Sequence, residues 1–219
     1  VIEEKASYYR YNDIERIRKQ LRYKEKLFDI PVKTTNRTVE DILKQESILP
    51  KYGALLFRLT NYFRPQNILQ VGPTIGLSTL YLTSYAPGLK CISLENIPAY
   101  TSISKWVYAN YARTPIDLRT GNLKESLPTA LHDLGNVDFV YFNTPNEQNT
   151  NIGLFNECIK FAHKGTVFVF QGIQANRYMR ELWEMVCAHP EITVSIDLFS
   201  MGIALLNKKI HKRNYTVYF

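Results

Sequence analysis

Cysteine is scarce. The chain has three in 219 residues, Cys91, Cys158 and Cys187, set far apart in apolar stretches. An odd, unclustered set builds neither a disulfide frame nor a zinc site, and it fits reduced thiols in a cytoplasmic compartment. The four histidines, His132, His163, His189 and His211, are equally scattered, and none has a second ligand at metal-binding spacing. No apolar run reaches the length of a membrane span, and no charged-then-apolar leader opens the chain as it begins at Val1. Repeats and low-complexity linkers are missing too. Length and a hydrophobic content of 45% then predict one globular domain with a sizeable core and a small appendage.

Acidic residues are outnumbered, 20 against 27 lysines and arginines, which gives a net charge of +7. Such an excess suggests a nucleic-acid partner, but its distribution argues against one. Residues 207–219 alone hold four basic and no acidic side chains, chiefly in "NKKIHKRN". A solvated basic tail that keeps the protein soluble accounts for this, and a phosphate contact is the sharper alternative.

Along the chain, three helices come first. Asn12 with Glu15 predicts a helix start, with Ile14, Ile17, Leu21 and Phe28 near one face. Thr38 with Asp41 predicts a reciprocally capped short helix. Pro50 opens a third helix that carries Leu55, Leu56, Leu59, Tyr62 and Phe63 inward and stops at Arg64-Pro65. Strand and helix then alternate five times, through "NILQVG", "KCISLE", "IDLRTG", "VDFVYFN" and "GTVFVFQG". Two tightly linked strands close the series, "ITVSIDLF" and "MGIALLN", and "NYTVYF" is a further candidate. Continuous apolar strands alternating with helices predict a doubly wound, mostly parallel α/β sheet of seven strands with the last antiparallel, plus an N-terminal helical cap.

In such sheets ligands sit at the carboxyl ends of the strands, where the strand order reverses. The turn there is "VGPTIG". Gly72 and Gly76 let the backbone bend and approach a ligand, and Ser78 adds a hydroxyl. Glu95 ends the second strand, 23 positions beyond Gly72, close to the spacing of about 20 expected of a ribose-binding acid. A dinucleotide turn reads G-x-G-x-x-G. Here Thr74 occupies the middle slot, and the glycines fall as G-x-x-x-G.

On these residues the chain resembles the class I S-adenosylmethionine-dependent methyltransferases, and within them an O-methyltransferase-like group common in Bacteroidetes. The likeness runs through "LPKYGALLFRLTNYFRPQNILQVGPTIGLSTLYL", "ISLE", "VDFVYFN" and "ITVSIDLFSMGI", most of residues 47–203. It implies a Rossmann-like methyltransferase domain over 47–219 and an appendage over 1–46. It also implies S-adenosylmethionine as cofactor, with Gln70, Gly72, Thr74, Gly76, Ser78, Glu95, Asn122 and Asn143 as its contacts. In the group the first turn typically reads E-L-G-T-S-L-G-I-S-T, so Gln70 stands in place of an acid. Asn143 stands where the group has an aspartate followed by Gly-Asn-His, and Gln171 and Gly172 stand where it has paired aspartates. Neutral amide oxygens in place of carboxylates imply that no metal is held, because hard cations prefer carboxylate oxygen.

Neither His nor Lys stands at a strand tip as a general base, so the sequence assigns no catalytic residue. Asn122 either contacts an adenine edge or starts the next helix. Trp106 and Trp183 are expected in the core. The tyrosines of "SYYRY" are expected to form a lid or the seam of a homodimer. The leading functional expectation is a metal-independent methyltransferase acting on a small-molecule or surface nucleophile, with no membrane partner. The alternative is a pseudoenzyme, a degraded binding or scaffold protein that keeps the fold. An RNA-modifying enzyme rests on the basic tail alone.

Overall fold

The computed structural model describes residues 1–2, 4, 7–24, 38–143, 148–207 and 211–219, with 148–150 by backbone alone. Among the described residues, eight α-helices and eight strands follow one another in the expected order. In chain order they are α1 (Tyr9–Tyr23), α2 (Val39–Gln45), α3 (Pro50–Phe63), β1 (Asn67–Val71), α4 (Leu77–Thr83), β2 (Lys90–Glu95), α5 (Pro98–Tyr111) and β3 (Ile116–Thr120). Then follow α6 (Leu123–Leu134), β4 (Val137–Phe142), α7 (Gln148–Lys160), β5 (Ala162–Gln171), α8 (Arg177–Ala188), β6 (Val194–Asp197), β7 (Met201–Leu205) and β8 (Arg213–Thr216). No described helix is long and apolar enough to cross a membrane.

One sheet runs β3-β2-β1-β4-β5-β7-β6-β8. Strands β1 to β5 are mutually parallel, and β7 runs antiparallel to both β5 and β6. The predicted seven strands are joined by an eighth, β8, which pairs parallel with β6 and carries exposed side chains. The strand order reverses between β1 and β4, so the carboxyl ends of these two strands frame a crevice.

Strand alternation sorts the core into two layers. Ile68, Phe139 and Tyr141 point into the layer under α1 to α5, whereas Leu69, Val71, Val140 and Phe142 point under α6, α7 and α8. Phe142 stacks on Phe170 with ring centroids 4.9 Å apart and planes 2° from parallel. Each such fully buried aromatic contributes about 1.5–3 kcal/mol of hydrophobic stabilisation.

The helix starts follow local chemistry. Thr38 and Asp41 form the expected capping box, and Pro50 occupies the first turn of α3. Helix α3 ends at Arg64 in the left-handed region. Helix α1 begins at Tyr9, one turn before the predicted Asn12. Tyr8 and Tyr11 pack on Phe57, with centroids 4.9 and 5.4 Å away. Arg10 donates to Ser84, the C-cap of α4, which places this end of α1 far from the crevice, so Tyr8 and Tyr11 form no lid over it. Tyr62 and Phe63 were expected inward but are exposed, because they lie on the last turn of α3 as it leaves the core. Trp183 is buried, and Trp106 packs edge-on against Tyr111. Phe28, the remainder of "FNTPNE" at 144–147, and 208–210 of the basic tail lie outside the described residues.

Helix α1 is part of the same apolar layer as the domain it covers: Ile14, Ile17 and Leu21 join Leu55, Leu80 and Tyr81. The joint is tight at Gly53, where an added Cβ would stand 2.4–2.8 Å from three ring atoms of Tyr81. Tyr81 is fully buried and donates to Glu15 of α1 at 2.9 Å, so its ring has nowhere to go. Gly53→Ala is therefore expected to lower stability by about 1–3 kcal/mol through overpacking, despite a gain of about 1 kcal/mol in helix propensity. Urea denaturation of the two proteins tests this, and a variant as stable as the parent would contradict the packing.

Candidate functional site

The crevice is floored by the turn after β1. Gly72 has φ +99° and Gly76 has φ +90°, conformations that L side chains rarely adopt. A Cβ on Gly76 would also stand 2.7 Å from Val107 Cγ1. These two glycines let the chain turn directly into α4. Thr74 takes the middle slot without loss of the turn, because its hydroxyl accepts the Gly76 N–H at 2.9 Å and lies 3.1 Å from Ser78 Oγ.

The turn is held from three sides. Asn143, at the tip of β4, donates from Nδ2 to the Pro73 carbonyl at 2.6 Å. Ser104 of α5 donates to the Thr74 carbonyl at 2.6 Å. Glu95, at the tip of β2, accepts the Thr74 N–H on Oε2 and the Ile97 N–H on Oε1, both at 2.7 Å. The Glu95 side chain is almost fully buried. Burial pushes its carboxyl up to about 7, against the backbone N–H groups of Thr74, Ile97 and Asn96, which favour the charged form.

On either side of this turn lies a hollow. One is a polar cavity of about 120 Å³ at the tips of β1, β4 and β5. Thr74 and Ser78 line it from the turn, Tyr141, Asn143 and Gln171 from the strand tips, Gln45 from the end of α2, and Glu46 and Ser47 from the α2–α3 link. The other is a groove of about 330 Å³ lined by Glu95, Asn96, Pro98, Thr101, Thr120 and Gly121. Two larger hollows lie elsewhere. One, of about 480 Å³, runs along α5 to the amino end of β3. The other, of about 450 Å³, is apolar and lies between α3 and β7. Neither touches the strand tips where the turn, Glu95 and the amides converge, so the strand-tip pair is the candidate site.

Six of the eight residues named from sequence therefore meet around one turn: Gly72, Thr74, Gly76, Ser78, Glu95 and Asn143. Asn122 sits apart. Its side chain accepts the Lys124 N–H at 2.9 Å as the N-cap of α6, the helix-start role, and it lines neither hollow. Gln70 is wholly buried beneath the turn and also lines neither. Its Oε1 accepts from Thr79 at 2.7 Å and from Ser78 at 3.3 Å, whereas Nε2 has no partner. Thr79 continues the network to the Tyr108 hydroxyl at 2.8 Å, and Ser93 lies 3.2 Å from that hydroxyl.

Sequence reasoning missed two groups. Tyr141 hides inside an apolar strand, but its hydroxyl reaches Gln171 Oε1 at 3.3 Å on the cavity wall. Burial pushes its phenol well above the usual range. The α2–α3 link carries no motif, and only tertiary packing brings it to the crevice. As to metal chemistry, Asn143 and Gln171 offer amide oxygens, and no group of three His, Cys, Asp or Glu side chains converges among the described residues.

No protein-family model matches the chain, and no curated protein matches it by sequence. Solved structures do match its fold. The O-methyltransferase from Bacillus cereus in complex with SAH aligns with a TM-score of 0.65 at 16% identity, over 94% of each chain. The O-methyltransferase TomG from Streptomyces achromogenes, involved in tomaymycin synthesis and in complex with SAM, aligns at 0.63 and 15% identity, over 92% of this chain and 91% of that one. The SAH-bound methyltransferase PaMTH1 of Podospora anserina aligns at 0.65 and 11% identity, over 94% and 91%. The chain thus has the Rossmann-like fold of these methyltransferases over nearly its whole length.

Proposed function

We propose that the chain is an S-adenosylmethionine-dependent methyltransferase of the O-methyltransferase-like kind, acting without a metal on an oxygen nucleophile of a small molecule or a surface. The observation that carries this is the glycine turn tied to Glu95 at the strand-order reversal, with a groove on one side and a polar cavity on the other. A carboxylate has about four lone-pair sites. Glu95 spends them on two or three backbone N–H groups, so capacity remains toward the groove for a ribose hydroxyl. At about 120 Å³ the cavity is smaller than the ~300 Å³ of a drug-sized site, and it suits the amino-acid end. When bound, the cofactor supplies a methyl group on a sulfonium. The chain's part is then to orient that end through Thr74, Ser78 and Asn143 and to exclude water. Positioning is the main protein contribution to such a transfer. In this reading residues 1–46 act as a cap over a 47–219 catalytic domain.

A second reading, a pseudoenzyme that keeps the fold, draws on the neutral residues Gln70, Asn143 and Gln171. Calorimetric titration of the whole chain with S-adenosylmethionine and S-adenosylhomocysteine separates the two. The expected result is micromolar affinity, about −8 kcal/mol, unchanged by millimolar magnesium or a chelator. Absence of binding would favour the pseudoenzyme. Affinity that depends on magnesium would overturn the metal-free mechanism.

A further inference from the structure

The polar cavity is walled by neutral hydroxyls and amides on its strand side. We propose that the β5 side of this wall, Gln171 with the Tyr141 hydroxyl, is the subsite of the methyl acceptor and takes a carboxylate, so that the product is a methyl ester; this rests on the reading of the site as an S-adenosylmethionine site. The Tyr141 hydroxyl donates to Gln171 Oε1 at 3.3 Å, long for an O–H donor and therefore easily redirected. Gln171 Nε2 makes no hydrogen bond among the described residues and is not sealed from solvent. One O–H and one N–H donor thus stand side by side, and a carboxylate has two oxygens to meet them. Burial pushes the Tyr141 phenol well above its usual range, so it stays a donor. Asn143 is committed to the turn through its bond to the Pro73 carbonyl, which leaves Gln171 and Tyr141 as the strand-tip pair not tied to the cofactor side.

The fate of the proton selects an acid over an alcohol. An alcohol or phenol sheds a proton as it attacks, and a base of suitable pKa must take it. No His, Lys or Cys lines the cavity among the described residues. Its one acid, Glu46, already has an interaction partner, and a carboxylate is a weak base toward a phenol, by about six pKa units. A carboxylate acceptor is already ionised at neutral pH. As it attacks, one of its oxygens forms a C–O bond to the methyl carbon, the C–S bond breaks, and the electron pair of that bond stays on sulfur. A methyl ester and a neutral thioether result, and no proton is released. The negative and positive charges vanish together. Neutral donors suit this step, because no ion pair holds the carboxylate more firmly before the transfer than during it.

Calorimetry on the full chain tests the subsite with butyrate and its neutral isostere butyramide. Sinefungin, a cationic cofactor analogue with no methyl group to give, fills the cofactor site. Butyrate is expected to bind this complex about tenfold more tightly than butyramide does. Gln171→Leu and Tyr141→Phe are each expected to weaken butyrate by about 10- to 100-fold, the range of a lost hydrogen bond to a charged group, while affinity for sinefungin stays that of the parent. Saturating butyrate with methyl-labelled S-adenosylmethionine should give label that alkali releases as methanol, as from an ester and not from an ether. Equal affinity for butyrate and butyramide would overturn the assignment and leave the cofactor reading intact. So would butyrate binding untouched by both variants, no transfer to saturating butyrate, or label that resists alkali. A fall in sinefungin affinity in both variants would place the pair on the cofactor and overturn it too. If the parent binds neither sinefungin nor S-adenosylmethionine, the cofactor reading fails and this inference falls with it. An unchanged melting temperature shows that a variant folds, and Gln171→Leu carries the test alone should Tyr141→Phe not fold.

Discussion

Glu95→Ala should abolish measurable cofactor binding and also destabilise the unliganded chain. Two backbone N–H groups, of Thr74 and Ile97, end on this carboxylate. Removing it leaves the buried Thr74 N–H and the partly buried Ile97 N–H without that acceptor, at about 1–3 kcal/mol for the buried one, and frees the turn that floors the site. The parent's affinity should depend on pH through the same group. Burial raises the Glu95 carboxyl to about 7, above the ~4.3 of an unfolded glutamate. The folded chain therefore holds a proton that the unfolded chain releases. Stability falls as pH rises from about 4.3 to about 7 and levels off above. Ribose hydroxyls donate to the carboxylate, so binding runs the opposite way: it strengthens through that window and is fully developed above 7. Each unit below 7 should cost about tenfold in affinity. Calorimetry with 5′-methylthioadenosine at pH 6 and pH 8 should show about a tenfold difference. A flat profile, or binding retained in Glu95→Ala, would remove Glu95 from the site.

The fold was legible because its physics is local. "VDFVYF" and "TVFVF" are apolar on both faces, as only strands covered by helices on both sides are. The capping box at Thr38 and Asp41 and the proline at position 50 fix two helix starts within a few residues. The turn was legible for the same reason, since Gly72 and Gly76 are needed at positive φ where they stand. Contacts that depend on which helix lies over which strand were not legible. Nothing in "KQESILP" announces that Arg18, 28 positions before Glu46, will hold that stretch against the strand tips. Asn122 carries the same side chain whether it caps a helix or reads a base edge, and the bond from the Lys124 N–H shows the cap. The burial of Gln70 was not legible either. Sequence position placed it beside the ligand, whereas strand alternation turned it into the layer below.

That burial makes Gln70→Glu the variant that weighs decay against adaptation. Had position 70 merely lost an acid, a restored carboxylate should be tolerated there, with the Ser78 and Thr79 hydroxyls as ready donors. The described surroundings favour the other outcome. Gln70 is wholly buried, and its side-chain partners, Ser78 and Thr79, are neutral hydroxyls. An isolated carboxylate in such a place takes up a proton instead of staying charged. The variant should then resemble the parent near pH 5, where the introduced carboxyl is neutral. Relative to the parent it should lose stability as pH rises, by up to about 1.4 kcal/mol per unit while the introduced carboxyl stays protonated in the folded form and not in the unfolded form. Between pH 5 and pH 8 this amounts to as much as ~4 kcal/mol. Urea midpoints of parent and variant at the two pH values measure it directly. A pH-dependent loss would mean that the core beneath the turn is shaped for a neutral amide, so that Gln70 belongs to a working arrangement in which charge is met elsewhere. A difference in stability between variant and parent that is the same at both pH values would mean that the interior still accommodates an acid, and would favour a site in decay.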